Sequence, residues 1–272
     1  MSAPRHATSE PILSMRSISV HFGGITALSE VALDVPTRGV TGVIGPNGAG
    51  KTTLFNVACG LTHATTGTVH WRGEDVTRLS VHRRSRLGIA RTLQGLGLYA
   101  GMSVVENVMV GLDTQAKSGF WAGLLATPRS SREERLLRDK AMDTLADFGV
   151  AAHARSRPES LPYGLRKRVA LARAVIADPA LLMLDEPASG LSESEMDELA
   201  DLIVDLGTRM TVMLVEHHMD LVMRACDQIL VLDFGRVIAK GAPSEVQNDP
   251  AVVAAYLGNE VPAAETGIGG PA

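Results

Sequence analysis

The segment Gly45-Pro46-Asn47-Gly48-Ala49-Gly50-Lys51-Thr52 has the residue types and spacing of a phosphate cradle. Glycines let the backbone turn tightly and aim its N–H groups at an anion at close range. The apolar run Val40–Ile44 in front reads as a strand, and Lys51–Cys59 behind it reads as a helix whose positive N-terminal dipole favours negative charge. In such a G-x-x-x-x-G-K-[ST] loop, Lys51 reaches the β- and γ-phosphates of a nucleoside triphosphate and the Thr52 hydroxyl binds Mg²⁺. The candidate ATP-binding residues are therefore Gly45, Asn47, Gly48, Ala49, Gly50, Lys51, Thr52 and Thr53. A second signal is the apolar run Leu181-Leu182-Met183-Leu184, which ends in Asp185-Glu186. In a sheet of this kind the C-terminal strand ends face the ligand crevice. Asp185 is expected to hold Mg²⁺ through water, and Glu186 to polarise the attacking water as general base. A hydrophobic run ending in two acids is common by itself and carries weight only beside the phosphate loop.

The elements that must position these groups are legible from periodicity. Ile12–Val20 and Val31–Val35 read as strands, and Thr68–Trp71, closed by Arg72-Gly73, reads as an edge strand. Val104, Val105 and Val108 have helical spacing, and 132–148 is charged and helically periodic. Strands return at Leu181–Leu184 and Thr211–Val215, both expected to be parallel, and at Gln228–Leu232, not necessarily parallel. The pattern predicts an α/β fold of the P-loop NTPase class: a RecA-like core, a small antiparallel β lobe from the N-terminal strands, and an inserted α-helical lobe over about 96–165. Residues 1–11 are expected to be a loose tail. Residues 259–272, rich in Gly, Ala and Pro, are expected to be disordered.

Composition narrows the function classes. The 272 residues are 45% hydrophobic and 21% charged, ordinary for a globular chain with a real core, and only 4% aromatic. A net charge of −4 argues against a general nucleic-acid binder, and no nucleic-acid partner is expected. The short basic stretch His82–Arg86 reads as a solvated face; Arg166–Arg168 is a second one. Cys59 and Cys226 lie far apart and outside any CxxC pattern, which argues against zinc or a disulfide framework and fits a reducing cytoplasm. Met1–Pro11 lacks the apolar stretch of a signal peptide, and no apolar run reaches the roughly 18–20 residues of a membrane helix. Work at a membrane would have to be done from outside the bilayer.

Leu184-Asp185-Glu186-Pro187-Ala188-Ser189-Gly190-Leu191 resembles the Walker B and D-loop region of ABC-transporter ATPases. The resemblance covers about Ile12–Gly258 and implies further roles. Gln94, in Arg91-Thr92-Leu93-Gln94, matches the Q-loop glutamine that senses Mg²⁺ and couples to the membrane subunit. Leu161-Pro162-Tyr163-Gly164-Leu165-Arg166-Lys167-Arg168 occupies the place of the signature that meets the partner's nucleotide, with Gly164 at its centre. His217, in Val215-Glu216-His217-His218, matches the switch histidine at the γ-phosphate, with His218 as a rival. Phe22 falls where the family keeps an aromatic that stacks on adenine. An isolated Gln or His is more often a surface residue and a lone Phe more often core; order and spacing together give these matches force.

The Arg-Thr-x-Gln loop, the Leu-x-Tyr-Gly signature, Phe120–Leu125 and Ala255-Tyr256-Leu257-Gly258 resemble the branched-chain amino acid importer ATPases, in a group that includes urea and amide importers. That implies a second, non-identical ATPase subunit in a head-to-tail dimer, two transmembrane permease subunits, an extracytoplasmic solute-binding protein, and a peripheral place on the cytoplasmic face of the membrane. The chain departs from the family pattern at Pro162, where a serine usually stands, at Tyr163 and Leu165 in the signature, and at Ser192, where the D-loop usually has Asp. Proline offers a phosphate neither N–H nor hydroxyl, so two unequal nucleotide sites are one reading. The other is that backbone N–H groups at Tyr163 and Gly164 suffice. Among rivals, a GTPase would want Asn-Lys-x-Asp, which is missing, and a soluble ABC-type ATPase would want a coiled-coil insertion or a second ATPase unit. A non-hydrolysing regulatory subunit is disfavoured by the intact Glu186 and His217.

Overall fold

Each central strand alternates its side chains between two separate cores, which is why the strands read as continuous apolar runs. The computed structural model describes residues 10–92, 95–112 and 128–257. Gln94, Phe120–Leu125, Gly258, most of the N-terminal tail and the whole segment 259–272 lie outside the described residues.

In chain order the elements are β1 (Leu13–Phe22), β2 (Ile25–Val35), β3 (Gly39–Ile44), α1 (Lys51–Cys59), β4 (Thr66–Trp71), β5 (Glu74–Asp75), α2 (Val81–Arg86), β6 (Ile89–Arg91), α3 (Val104–Met109), α4 (Pro128–Asp147), α5 (Tyr163–Val175), β7 (Leu181–Asp185), α6 (Glu193–Arg209), β8 (Thr211–Val215), α7 (Met219–Ala225), β9 (Gln228–Asp233), β10 (Arg236–Gly241), α8 (Pro243–Gln247) and α9 (Pro250–Leu257). They form a four-stranded antiparallel sheet, order β2-β1-β4-β5, and a six-stranded sheet, order β10-β9-β3-β8-β7-β6. All pairings in the larger sheet are parallel except β10 with β9.

Ile44, Leu182, Leu184, Val212 and Leu214 pack into one core with α3, α4, α5 and α6. Val43, Leu181, Met183, Met213 and Val215 pack into the other, together with α1 and the antiparallel sheet. Between β6 and β7 the described elements are helical throughout. The first, α3, is started by a capping box: Ser103 N donates to Glu106 Oε2 at 2.7 Å, and Glu106 N donates to Ser103 Oγ. Among the described residues no helix is long and apolar enough to cross a membrane.

The helix at Lys51–Cys59 and the strand at Thr211–Val215 have the bounds their sequence patterns predict. Two expectations need correction. Thr68–Trp71 is not an edge: it belongs to β4, flanked by β1 on one side and β5 on the other. The strand at Gln228, whose direction the sequence left open, is parallel to β3, pairing from Thr41↔Gln228 to Ile44↔Val231. The basic run His82–Arg86 is not wholly a solvated face. Arg84 points inward and is buried, its guanidinium donating to the carbonyls of Val57, Ala58, Val76, Thr77 and Leu79. A buried cation without a carboxylate persists only when hydrogen-bonded; here the C-terminal carbonyls of α1 supply part of that shell, where the helix dipole also favours positive charge.

Candidate nucleotide-binding and hydrolysis site

The phosphate loop is pinned where β3 ends. Gly45 has φ +147, and a Cβ there would lie 2.0 Å from the Leu232 carbonyl oxygen of β9, so the position admits only glycine. Gly50 caps α1 with φ +101 and offers the helix no side-chain bond, leaving the first-turn N–H groups to an anion. Lys51 folds back into the concavity: its Nζ donates to Gly45 O at 2.7 Å and to Pro46 O at 2.9 Å, and its side chain is buried. Burial lowers the Lys51 ammonium from its ordinary value, and the Glu186 carboxylate works against that shift. Asn47 and Gly48 are exposed at the rim, with Thr52 exposed and Thr53 half-buried on the first turn of α1. Ala49 is buried, its N–H on Pro46 O and its carbonyl accepting from Gly235 N, so the β9–β10 turn braces the loop from outside.

Asp185 ends β7 with its side chain 1% exposed. Its Oδ2 accepts from Arg91 Nη2 at 2.6 Å, while Oδ1 is buried without a hydrogen-bond partner among the described residues. A buried carboxylate oxygen left without a donor fits a hard cation or its water, so the donor set suits Mg²⁺. Arg91 also donates to Asn56 Oδ1 on α1, joining the phosphate-loop helix to β7. Burial works to lower the Arg91 guanidinium, but its bonds to Asp185 and Cys59 prevail and raise it.

Glu186 is half-buried and held at φ 47, a left-handed conformation that costs a non-glycine residue about 1–3 kcal/mol. The bond from Glu186 N to Val215 O fixes that turn. A cavity of about 100 Å³, lined by Thr92, Leu96, Tyr163, Lys167, Asp185 and Glu186 among others, opens beside the two carboxylates.

His217 lies just past β8 with an exposed ring, 4.1 Å between centroids from the ring of His218. Phe22 ends β1 with 53% of its surface exposed, so it does not pack beneath the sheet. Gly164 is the second residue of α5; a Cβ there would meet Glu195 Oε1 of α6 at 2.1 Å. Ser192 starts α6, with its N and Oγ both donating to Glu195 Oε2.

Sequence reasoning missed the Arg91–Asp185 pair, Lys167, whose Nζ donates to Pro187 O at 2.5 Å, and Glu216, a fully buried carboxylate. For Glu216 a signal existed: an acid at the end of an apolar strand, as at Asp185.

The sheet order joins these groups. The adjacent parallel strands β3, β8, β7 and β6 carry at their C-terminal ends the phosphate loop, His217, Asp185-Glu186 and Thr92 respectively. All four ends share one edge of the sheet, the crevice where α/β proteins bind ligands.

A family model described as "ABC transporter" matches residues 28–189, more than half of the chain, and one described as "Branched-chain amino acid ATP-binding cassette transporter" matches residues 236–262. The chain belongs to the ABC transporter ATP-binding family. Such an ABC ATPase binds ATP and couples its hydrolysis to transport. The chain is 39% identical to the high-affinity branched-chain amino acid transport ATP-binding protein LivG of Salmonella typhimurium, over 92% of this chain and 99% of the relative. It is equally similar to BraF of Pseudomonas aeruginosa, over the same shares. Among solved structures, the ADP conformation of an ATP-binding cassette from an ABC transporter superposes with TM-score 0.80 at 29% identity, covering 92% of this chain and all of that one. The mixed sheets and helices found here are those of an ABC ATPase cassette.

Proposed function

We propose that this chain is one of two ATPases energising an importer of branched-chain or related hydrophobic amino acids from the cytoplasmic face of the membrane. The observation that carries the catalytic part is the shared edge where β3, β8, β7 and β6 end. On this reading Lys51 binds the β- and γ-phosphates, while the N–H groups of 45–50 and the N-terminus of α1 hold the remaining negative charge. Phe22 offers its exposed ring to adenine. Thr52 and Asp185 would hold Mg²⁺, with Gln94 as a further ligand; when bound, the ion neutralises charge developing on the phosphate oxygens. Glu186 orients and polarises the attacking water as general base, and His217 stabilises the γ-phosphate. Gly164 and its neighbours at the start of α5 face the nucleotide of a head-to-tail partner ATPase, and two permeases dock beside the Gln94 loop. The helical stretch between β6 and β7 is the lobe that moves when the two ATPases close, pulling the permeases between inward- and outward-facing states. An extracytoplasmic binding protein delivers the solute.

The identity with LivG and BraF over nearly the whole chain, and the separate match at 236–262, support the amino-acid assignment. A lipopolysaccharide export ATP-binding protein of Haemophilus influenzae is still 30% identical over 92% of the chain. ATPase sequence therefore follows solute loosely, and solute must be read directly. The test is vesicle uptake by the reconstituted complex, with leucine, isoleucine and valine set beside urea and a short-chain amide. Saturable ATP-dependent uptake of the branched-chain amino acids supports the proposal; uptake of urea or amide alone overturns the solute assignment.

A further inference from the structure

Glu216 directly follows β8, with no exposed surface and no lysine or arginine in salt-bridge contact among the described residues. A carboxylate removed from water in this way is tolerated only when its oxygens are satisfied by donors. Here the donors come from two different segments. Oε1 accepts from Ala188 N at 2.7 Å, in the turn that follows Glu186. Oε2 accepts from His217 N at 2.9 Å and His218 N at 3.2 Å, and lies 2.8 Å from His218 Nδ1, which places the proton of that ring on Nδ1. Glu216, His217 and His218 also lie close enough together to share a metal ion, but Oε2 already carries three donors, so the carboxylate is committed to the protein.

The turn held on one side by Glu216 is held on the other by α5. Lys167 Nζ donates to Pro187 O, and Gly190 lies against the ring of Tyr163. Burial lowers the Lys167 ammonium while Glu216 and Glu186 oppose the shift, so these charges sense one another across the turn. The start of α5 is thus linked to the turn 187–190 by Lys167 and Tyr163, and the turn to the segment 217–218 by one buried carboxylate.

We propose that Glu216 is a positioning residue that locks His217 to the turn 187–190, so that the histidine at the γ-phosphate and the turn that follows Glu186 move as one unit. The proposal rests on the role given to His217 above. Glutamine is nearly isosteric but presents an NH₂ to one set of donors, so Glu216→Gln must release either Ala188 or the histidine amides. The nucleotide-binding groups on β3 and α1 are left intact by that change.

The experiment is steady-state ATPase kinetics of the chain with its co-expressed partner ATPase, comparing wild type, Glu216→Gln, His217→Ala and the double variant, with melting temperature and ATP affinity measured for each. A displacement of the histidine by about an ångström predicts a loss in kcat on the order of 10²-fold for Glu216→Gln with KM unchanged. The double variant should be no slower than His217→Ala, because the two changes disable one device. Wild-type kcat in Glu216→Gln, or losses that multiply in the double variant, overturns the proposal. Wild-type activity in His217→Ala instead overturns the role of His217 itself. If Glu216→Gln does not fold, Glu216→Asp replaces it: the charge is kept, but the shorter side chain cannot span Ala188 and His217. A kcat loss at constant KM then supports the lock, and wild-type kcat contradicts it.

Discussion

Arg91 and Asp185 form an ion pair almost out of water, beside the carboxylate oxygen left for a metal ion. Removing one partner of a buried pair leaves an uncompensated charge and costs about 3–5 kcal/mol. Arg91→Ala should therefore lower the melting temperature clearly. MgATP should recover part of the loss, since Mg²⁺ at Asp185 replaces the missing positive charge. Equal destabilisation with and without MgATP, read by thermal melting, would detach Arg91 from the metal site. Lys51→Ala should abolish nucleotide binding, measured as loss of ATP affinity, because no other ammonium donates into the loop's concavity among the described residues. At this scale the sequence was half legible. Lys51, Asp185 and Glu186 announce themselves by spacing and by their place at strand ends. Arg91 and Lys167 do not, because their partners, a carboxylate and a backbone carbonyl, lie in other elements.

The elements show the same division with a different cause. α1 and β8 have clean signals: glycine before the helix, glycine after it, and a five-residue apolar strand. β6 is three residues long and β5 two, too short for any period to register. β2 begins at Ile25, but its first residues are exposed and break the alternation. Arg84 hid inside a basic run because burial against backbone carbonyls leaves no mark in composition. Replacing it by Met strips those carbonyls of five guanidinium bonds, and Arg84→Met is expected to cost about 3 kcal/mol or more; a chemical denaturation midpoint within error of wild type would contradict this. Pro162 presents the opposite case. It precedes α5 at φ −53 with an exposed side chain that gives the helix no capping bond. Pro162→Ser should stabilise the helix start by up to about 1 kcal/mol. If the two composite sites are unequal, the same change should also raise hydrolysis at the site that uses this signature, and unchanged site-resolved hydrolysis would count against that inequality.

For the whole molecule, the fold class was legible because a P-loop, an acidic strand end and alternating strands and helices leave few topologies. The order β3-β8-β7-β6 was not, since sequence gives strands in chain order and not in space. That order matters most for function: it brings Lys51, His217, Asp185 and Glu186 to one edge from segments up to 166 residues apart in numbering. The most direct measurement is ATP hydrolysis by the chain with its co-expressed partner ATPase, beside Glu186→Gln. The geometry predicts Mg²⁺-dependent turnover in the wild type, and in the variant a kcat lower by about 10²–10⁴-fold with nucleotide held in a stable dimer. Wild-type turnover in Glu186→Gln would show that the catalytic carboxylate lies elsewhere and would contradict the site described.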